Sequence, residues 1–319
     1  MTGLRDSVLG TVGNTPLVAI DRLRSPGAAR VAVKLEAFSP GGSVKDRAAL
    51  RIIEDAERSG ALRPGMAVVE LTSGNMGIGL AVACAIKGYR MIAVMSDGNS
   101  VERRQILAAH GAEVDLVPQV DGARPGQVSA EDLAAVEDRT RSLALKLGAY
   151  RPDQFNNVSA VRAHEEGTGP EIWRQTNGAM THFVASVGTG GTFVGVARAL
   201  KRIDRWISCV AAEPASAPAL AGGPIRSTSH RIQGTGYAEI PPFWDATLCD
   251  GFLTTTDDEA IATARVLATR EGILGGFSTG ANVAAALRLA AGLPAEALVV
   301  TIAPDTGLKY LSTELFVDR

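Results

Sequence analysis

The sequence contains little cysteine. Three cysteines are distributed over 319 residues, as Cys84, Cys209 and Cys249. They are too few and too far apart for the framework of a disulfide-stapled fold or for a zinc site. Because free cysteine is among the residues most often buried in proteins, we expect three thiols in the core and no bound metal.

An excess of charge of one sign is also lacking. The chain has 32 lysines and arginines against 34 aspartates and glutamates, which gives a formal net charge of -2. A protein that follows a phosphate backbone needs clustered basic charge to do so. We therefore expect no nucleic-acid partner.

Long hydrophobic runs are missing as well. No uninterrupted apolar stretch approaches the ~20 residues that a membrane-spanning helix needs. The segment Met1–Asp6 lacks the basic and apolar regions of a signal peptide. These absences predict a cytoplasmic protein with no membrane partner.

The sequence does have a regular alternation of apolar strands and helical segments. Continuous apolar strands between helices are typical of parallel sheets covered on both faces, so the predicted fold class is α/β. The length favours about two domains. The predicted strands are 30–36, 67–70, 91–95, 113–117, 183–187, 208–212 and 297–302. The predicted helices are 44–59 with Ser43 at its cap, 76–87, 101–110, a helix ending at Leu200, 257–271 and 279–291.

Two stretches interrupt this alternation. Residues 118–127 are rich in turn-forming residues and predict a surface loop. Residues 214–235 are rich in alanine, proline, glycine and serine, and they are too long for an ordinary connection. We interpret this second stretch as a lid or entrance loop.

Three polar segments follow predicted strands and precede predicted helices: 39–47 around Lys45, Thr72–Gly77 and Gly188–Thr192. A lysine amine forms a Schiff base with an aldehyde once it is deprotonated. A glycine-rich loop before a helix offers backbone N–H groups to a phosphate. The polar turn Thr72–Gly77 can hold an amino acid that exchanges with the lysine on the cofactor. The three segments together therefore predict a site for a phosphorylated carbonyl cofactor.

Each segment taken alone has a simpler interpretation. Lys45 would be an exposed lysine in a first helical turn, Thr72–Gly77 a helix cap, and Gly188–Thr192 a tight turn. The glycine spacing differs from Gly-x-Gly-x-x-Gly, which disfavours a nicotinamide site. The order and spacing of all three segments favour the cofactor interpretation.

With further motifs, the chain resembles the cysteine synthase and cystathionine β-synthase family of fold-type II pyridoxal phosphate enzymes, and within it the O-acetylserine sulfhydrylases. The resemblance runs from about Asp6 to Phe316. The segments that carry it are Gly13–Leu17, Gly41–Arg47, Thr72–Asn75, Thr168–Trp173, Gly188–Thr192, Ser278–Ala281, Asp305–Gly307 and Tyr310–Thr313.

This resemblance implies two domains, each a largely parallel twisted sheet flanked by helices, with pyridoxal 5'-phosphate in the cleft between them. The larger, phosphate-binding domain would comprise 1–40 and 157–319, and a smaller, mobile domain that closes over substrate would comprise 41–156. The resemblance also implies a homodimer.

The resemblance further implies the roles of individual residues. Lys45 would carry the cofactor as a Schiff base and later remove the substrate's α-proton. Ser278 would lie beside the pyridine nitrogen, although it could instead cap a helix that starts near Thr279, and Thr306 is another hydroxyl that could lie near the ring. The remaining cofactor contacts would be Asn75, Gly188, Thr189, Gly190, Gly191 and Thr192, and the substrate contacts would be Thr72, Ser73, Gly74, Met76, Gln154 and Gly234.

The chain departs from the family pattern at four places. Ser39 replaces a usual asparagine, Met76 replaces a usual threonine, and Ser96–Asn99 replaces a segment that resembles Pro-Glu-x-Met. Residues 118–127 do not follow the common pattern either. These departures leave the predicted cofactor chemistry intact and the identity of the substrate open.

The resemblance implies β-replacement on an O-activated L-serine, O-acetyl-L-serine by default, through an α-aminoacrylate. Sulfide is the default nucleophile and L-cysteine the product. Another thiol, an amine or another serine ester are alternatives, as part of a specialised biosynthetic pathway. A serine or threonine dehydratase is disfavoured by Val44–Arg47, and a non-catalytic ligand sensor by the presence of Lys45 and Asn75.

Overall fold

A computed structural model describes residues 3–72, 74–99, 101–120 and 130–317. The strands are β1 (Leu17–Ala19), β2 (Arg30–Leu35), β3 (Ala67–Leu71), β4 (Arg90–Ser96), β5 (Glu113–Val117), β6 (His182–Ser186), β7 (Ser208–Pro214), β8 (Gly251–Thr255) and β9 (Leu298–Ala303). The α-helices are α1 (Lys45–Ser59), α2 (Asn75–Lys87), α3 (Val101–Ala109), α4 (Ala130–Leu147), α5 (Ser159–Ala163), α6 (Gly169–Gln175), α7 (Gly191–Ile203), α8 (Asp257–Glu271) and α9 (Phe277–Ala291).

The chain divides into two compact units. The smaller unit comprises the chain up to Val12 together with Ser39–Ala160, and the larger unit comprises Gly13–Phe38 together with the chain from Val161 onward. The sequence placed all of 1–40 in the larger domain, whereas the segment up to Val12 groups with the smaller unit. The predicted roles of the two domains stay predictions.

The smaller unit contains a three-stranded parallel sheet in the order β3-β4-β5. Its strands are short apolar runs, and Val69, Ile92 and Val94 pack with Val136 of α4. β-branched side chains suit such a buried, pleated surface. The predicted strands and helices of this region are present, with ends shifted by at most one residue, and the sequence interpretation missed α4.

The larger unit contains a six-stranded sheet in the order β1-β2-β9-β6-β7-β8. Only the short edge strand β1 is antiparallel to its neighbour, β2. Successive residues of β6 enter different core clusters, because Phe183 packs on one face of the sheet and Val184 on the other. Both faces are therefore covered, and the predicted α/β class is confirmed.

One detail of helix capping differs from the prediction. The sequence placed Ser43 at the cap of a helix starting at Val44, but α1 begins at Lys45 and its cap position is Val44. The Ser43 hydroxyl instead accepts a hydrogen bond from the Lys45 N–H at 3.3 Å. Within the described ranges, no helix is long and apolar enough to cross a membrane.

Candidate active site

The predicted site residues lie where strands of both sheets end. The carboxyl ends of parallel strands are the usual position of ligand sites in α/β folds. In the smaller unit, β3 ends at Leu71 and the polar turn follows at once. In the larger unit, β6 ends at Ser186 and leads into the glycine loop.

Lys45 is the first residue of α1. Its amine makes no hydrogen bond or ion pair with the part of the chain that the structure describes, and burial lowers its pKa to about 8. Removal from water disfavours the charged form of an amine. The neutral amine, which is the nucleophilic form, is therefore accessible near neutral pH.

The loop before Lys45 is held by the residue after it. The Asp46 carboxylate accepts a hydrogen bond from the Gly41 N–H at 2.6 Å, and Asp46 is 3% exposed. A Cβ on Gly41 would lie 2.5 Å from Asp46 Oδ1. The absence of a side chain at position 41 therefore lets the loop lie directly against α1.

The polar turn after β3 is shaped by Thr72. Its N–H donates to the Val94 carbonyl at 3.0 Å, and its hydroxyl accepts from the Gly77 N–H at 2.8 Å. The Thr72 hydroxyl donates to no acceptor among the described residues, so its proton can be donated to a ligand. Helix α2 begins at Asn75, and its cap residue is Gly74, which has no side chain that could cap the helix.

The turn also contains two other predicted substrate contacts, Ser73 and Met76. Ser73 lies outside the described residues. Met76 is described, and its side chain is 3% exposed. Its backbone N–H, in the first turn of α2, makes no hydrogen bond with the described residues. A helix N-terminus presents such N–H groups to anions, so Met76 can serve an anionic ligand through its backbone.

Gln154 lies in a turn beside the end of β3. The Glu70 carboxylate accepts a hydrogen bond from the Asp153 N–H at 2.9 Å, and the nearby Gln154 N–H also favours its charged form. Glu70 is 2% exposed, and burial raises its pKa to about 7. The Gln154 side-chain amide makes no hydrogen bond inside the described ranges, so it is available to a ligand. Sequence interpretation missed Glu70; the signal was a carboxylate inside an apolar strand.

The glycine loop of the larger unit leads into α7. Gly190 caps this helix with a left-handed φ of 90°, and the Thr189 hydroxyl accepts from the Gly191 N–H at 3.4 Å. The N–H groups of Thr192 and Phe193 make no hydrogen bond within the described chain. Unpaired N–H groups at the positive end of a 13-residue helix suit a phosphate.

His164 contacts this loop and was not predicted from the sequence. It is buried at the start of a π-helical turn, His164–Thr168. Its Nδ1 pairs with the Thr168 hydroxyl at 2.9 Å and its Nε2 with the Thr192 hydroxyl at 3.3 Å. Isolated π-turns are frequent at functional sites, but a single histidine in an unremarkable helical segment gives no clear sequence signal.

Gly234 lies at the end of the stretch predicted to be a lid. Its φ is 82°, and the following segment is fixed to the glycine loop, because the Gly236 N–H donates to the Val187 carbonyl at 3.1 Å. The structure therefore brings two predicted site residues of the larger unit together, Gly188 and Gly234.

Ser278 is the second residue of α9, whose cap is Gly276. The alternative that Ser278 caps this helix is wrong, because no side-chain capping bond is present. Its side chain is 7% exposed and its hydroxyl has no partner in the described residues. The Thr306 hydroxyl, by contrast, accepts a hydrogen bond from the Leu308 N–H at 3.2 Å.

Each unit, taken by itself, thus carries groups of defined chemistry. The smaller unit has the desolvated amine of Lys45 and the hydrogen-bond donors near Thr72. The larger unit has the N-terminus of α7, which suits an anion, and the Ser278 hydroxyl, which has no hydrogen-bond partner among the described residues. No group of three or more metal-ligating side chains is found among the described residues.

Comparison with known proteins identifies the family. A family model described as a pyridoxal-phosphate dependent enzyme matches residues 8–305. O-ureido-L-serine synthase of Streptomyces lavendulae is 41% identical over 314 residues, which are 98% of this chain and 93% of that protein. Cysteine synthase B of Salmonella typhimurium is 43% identical over 307 residues, which are 96% of this chain and 94% of that protein.

A solved structure agrees with these relatives. The crystal structure of O-acetyl serine sulfhydrylase isoform 3 from Entamoeba histolytica matches with a TM-score of 0.91 and 34% identity, covering 100% of this chain and 94% of that one. The chain therefore belongs to the pyridoxal-phosphate dependent enzyme family. Within that family it is an enzyme of the cysteine synthase type, its cofactor is pyridoxal 5'-phosphate, and the predicted resemblance is confirmed.

Proposed function

We propose that this enzyme replaces the acetoxy group of O-acetyl-L-serine with sulfide, giving L-cysteine and acetate. The relatives support the coarser reaction, a pyridoxal phosphate-dependent β-replacement on an O-substituted serine. The observation that carries the proposal is the Lys45 amine, which has no described partner and a pKa of about 8.

When bound, pyridoxal phosphate withdraws electrons from the α-carbon of an attached amino acid. Lys45 would bind the cofactor aldehyde through Nζ. Once the amino group of the substrate takes over that bond, the freed amine of Lys45 would accept the α-proton as a general base. The lowered pKa suits both roles, because each requires the neutral amine.

The substrate's carboxylate needs donors that do not titrate. The Thr72 hydroxyl, the Met76 N–H and the Gln154 amide are such donors, and Ser73 and Gly74 are proposed to join them. Hydrogen bonds from neutral groups to a carboxylate are charge-assisted and therefore comparatively strong. Gly234 is proposed to contact the substrate through its backbone.

The remaining cofactor contacts are proposed in the same way. The N–H groups of Thr192 and its neighbours Gly188–Gly191 would hold the phosphate, and Asn75 would bind the ring oxygen. Ser278 would face the ring nitrogen with a neutral hydroxyl. Such a partner stabilises a protonated ring nitrogen less than a carboxylate does, which favours β-elimination over transamination.

A second candidate differs in the nucleophile. One relative at 41% identity is named O-ureido-L-serine synthase. O-ureido-L-serine carries an oxygen atom on the β-carbon of serine, where cysteine carries sulfur. The replacement of a usual threonine by Met76 separates this chain from the default pattern and favours testing a nucleophile other than sulfide. Other thiols and amines belong in the same test.

A nucleophile screen tests the proposal. The holoenzyme is supplied with O-acetyl-L-serine or O-phospho-L-serine and with sulfide, small thiols, amines and hydroxyurea, and products are identified by mass spectrometry. L-cysteine as the product with the highest kcat/KM supports the first candidate, and O-ureido-L-serine supports the second. Release of pyruvate alone would indicate a dehydratase.

Lys45→Ala is the matched control for the screen. It should abolish every β-replacement and the absorbance of the lysine-bound cofactor, while the far-UV circular dichroism stays unchanged. Normal turnover by this variant would remove Lys45 from the reaction. A wild-type protein that takes up no pyridoxal phosphate would instead indicate a non-catalytic family member.

We also propose that the enzyme forms a homodimer, as its resemblance to the family implies. Light scattering coupled to size-exclusion chromatography tests this directly: a mass near twice the 33.2 kDa of one chain is expected. The predicted cytoplasmic location stays a prediction.

A further inference from the structure

We propose that Glu70 is a positioning residue for the substrate carboxylate: its buried side chain holds the backbone at Asp153 and Gln154, and thereby fixes where the Gln154 amide points. This inference rests on the proposed function, in which Gln154 and the turn at Thr72 bind that carboxylate.

Glu70 connects the two segments through its place in the fold. It is the fourth residue of β3, two positions before Thr72, where the polar turn begins. Its carboxylate accepts a hydrogen bond from the Asp153 N–H at 2.9 Å, and the N–H of the next residue, Gln154, favours its charged form. One side chain therefore ties the end of β3 to the turn that carries Gln154.

A carboxylate at this position calls for an explanation. Its neighbours in β3, Val68 and Val69, are fully buried apolar residues, and the residue paired with it on the adjacent strand β4 is Ala93. Burial of an ionised group is unfavourable unless hydrogen bonds compensate for the lost water. An apolar residue would serve the sheet better, so the bond to the Asp153 N–H is what the carboxylate contributes.

The turn needs this restraint. Asp153 has a left-handed φ of 50°, which few residues other than glycine, asparagine and aspartate adopt. Such a conformation persists only when its surroundings hold it in place. The bond from the Asp153 N–H to Glu70 is one such restraint, and it acts on the residue that precedes Gln154.

The attachment of the segment as a whole does not depend on Glu70. The Tyr150 N–H donates to the Ala67 carbonyl at 2.9 Å, and the Val69 N–H donates to the Tyr150 carbonyl at 3.0 Å. On the other side, the Asn157 amide donates to the Pro152 carbonyl at 2.8 Å. A change at Glu70 should therefore loosen Asp153 and Gln154 without detaching the strand.

Protonation of Glu70 gives a second way to test the idea. The charged or titratable groups that act on it are Arg151, Asp153 and Tyr150, and Arg151 is already paired with Glu137 at 2.6 Å. Burial raises the pKa of Glu70 to about 7. As the pH falls through this value the carboxyl gains a proton and loses acceptor capacity, so substrate affinity should fall.

The central variant is Glu70→Gln, which keeps the side-chain volume and replaces one acceptor oxygen by an NH2 group. We expect the KM for O-acetyl-L-serine to rise roughly ten-fold or more, with kcat and cofactor absorbance little changed. Glu113→Gln is the matched control, because it removes a carboxylate from β5 of the same sheet, where Glu113 pairs with Arg90 and not with the Gln154 turn, and its KM should stay as in the wild type.

Two further measurements separate positioning from general destabilisation. In the apoenzyme, amide hydrogen exchange of residues 150–157 should be faster in Glu70→Gln and unchanged in Glu113→Gln. In a double-mutant cycle, Glu70→Gln should add little to the KM of Gln154→Ala, because both changes remove the same contact. If Glu70→Gln does not fold, the fall in wild-type affinity below pH 7 and its absence in Gln154→Ala test the same point.

An unchanged KM together with unchanged exchange in 150–157 would overturn the inference, as would fully additive effects in the cycle. Failure of the proposed function has a different signature: the wild type itself would then show no spectral response to O-acetyl-L-serine. The two failures are therefore distinguishable in one set of proteins.

Discussion

The backbone of Gly188 lies directly against the carbonyl group of Gly234. A Cβ atom at position 188 would be 2.2 Å from that oxygen, far inside van der Waals contact. The glycine loop and the segment at Gly234 are thus fitted to each other, although 46 positions separate them in the sequence (234 − 188). This contact explains why position 188 needs glycine independently of any ligand.

Gly188→Ala should therefore disturb both segments. We expect a lower thermal midpoint and a weaker retention of pyridoxal phosphate after dialysis, because the loop must shift away from Gly234. Gly251→Ala is the control, since its added Cβ would meet only Val210 Cγ2 at 4.0 Å. Equal cofactor retention in Gly188→Ala and in the control would mean that the loop tolerates the shift.

Much of the fold was predictable because the sheets are built from continuous apolar strands between helices. The three-residue strand β1 was missed, since so short an edge strand has little pattern of its own. Helix α4 was missed for a different reason: its exposed face is rich in charged residues, and only a few positions such as Val136 are buried. Local hydrophobic patterns predict the continuous apolar strands, whereas elements such as β1 and α4 depend on tertiary packing.

The candidate site was only partly predictable for a related reason. Lys45 and the glycine loop have recognisable local patterns. Glu70 and His164 do not, because their significance comes from contacts with Asp153 and Thr192, which lie far away in sequence. The lowered pKa of Lys45 is likewise a property of its burial, which no spacing of residues reveals.

A charge in the glycine loop should interfere with phosphate binding. Gly190 has a φ of 90°, a conformation that asparagine and aspartate tolerate better than most residues. Gly190→Asp and Gly190→Asn therefore impose similar strain, and only aspartate adds a negative charge. We expect Gly190→Asp to lose much more pyridoxal phosphate affinity in an apoenzyme titration. Equal losses would mean that phosphate does not bind at this loop.

The pKa of Lys45 predicts a pH dependence. Only the neutral amine attacks an aldehyde, so the rate of pyridoxal phosphate capture by apoenzyme should rise with pH around a midpoint near 8. An exposed lysine would give a midpoint near 10.5, and Nα-acetyl-lysine is the reference amine. Capture that keeps rising beyond pH 9.5 would show that the amine is not desolvated.

The same shift has a consequence for stability. The folded-state pKa lies below the ordinary value of 10.5, so the folded apoenzyme binds the Lys45 proton less tightly than the unfolded chain does. This group therefore destabilises the apoenzyme fully below about pH 8, and the effect decreases as the pH rises toward 10.5. Lys45→Met should remove that pH-dependent part from the free energy of unfolding.

Met76 provides a test of specificity. Met76 is 3% exposed, so Met76→Thr should lower the free energy of unfolding by about 1–3 kcal/mol through the volume it removes. The new hydroxyl, however, supplies a donor that the family pattern places beside the substrate carboxylate. We expect kcat/KM for O-acetyl-L-serine with sulfide to increase relative to that for any other nucleophile the wild type prefers.

Met76→Leu, which conserves volume without adding a donor, is the control, and each protein is compared over the whole nucleophile screen. If Met76→Thr and Met76→Leu keep the wild-type ratios for every substrate pair, Met76 is a packing residue and the specificity of this enzyme is set elsewhere.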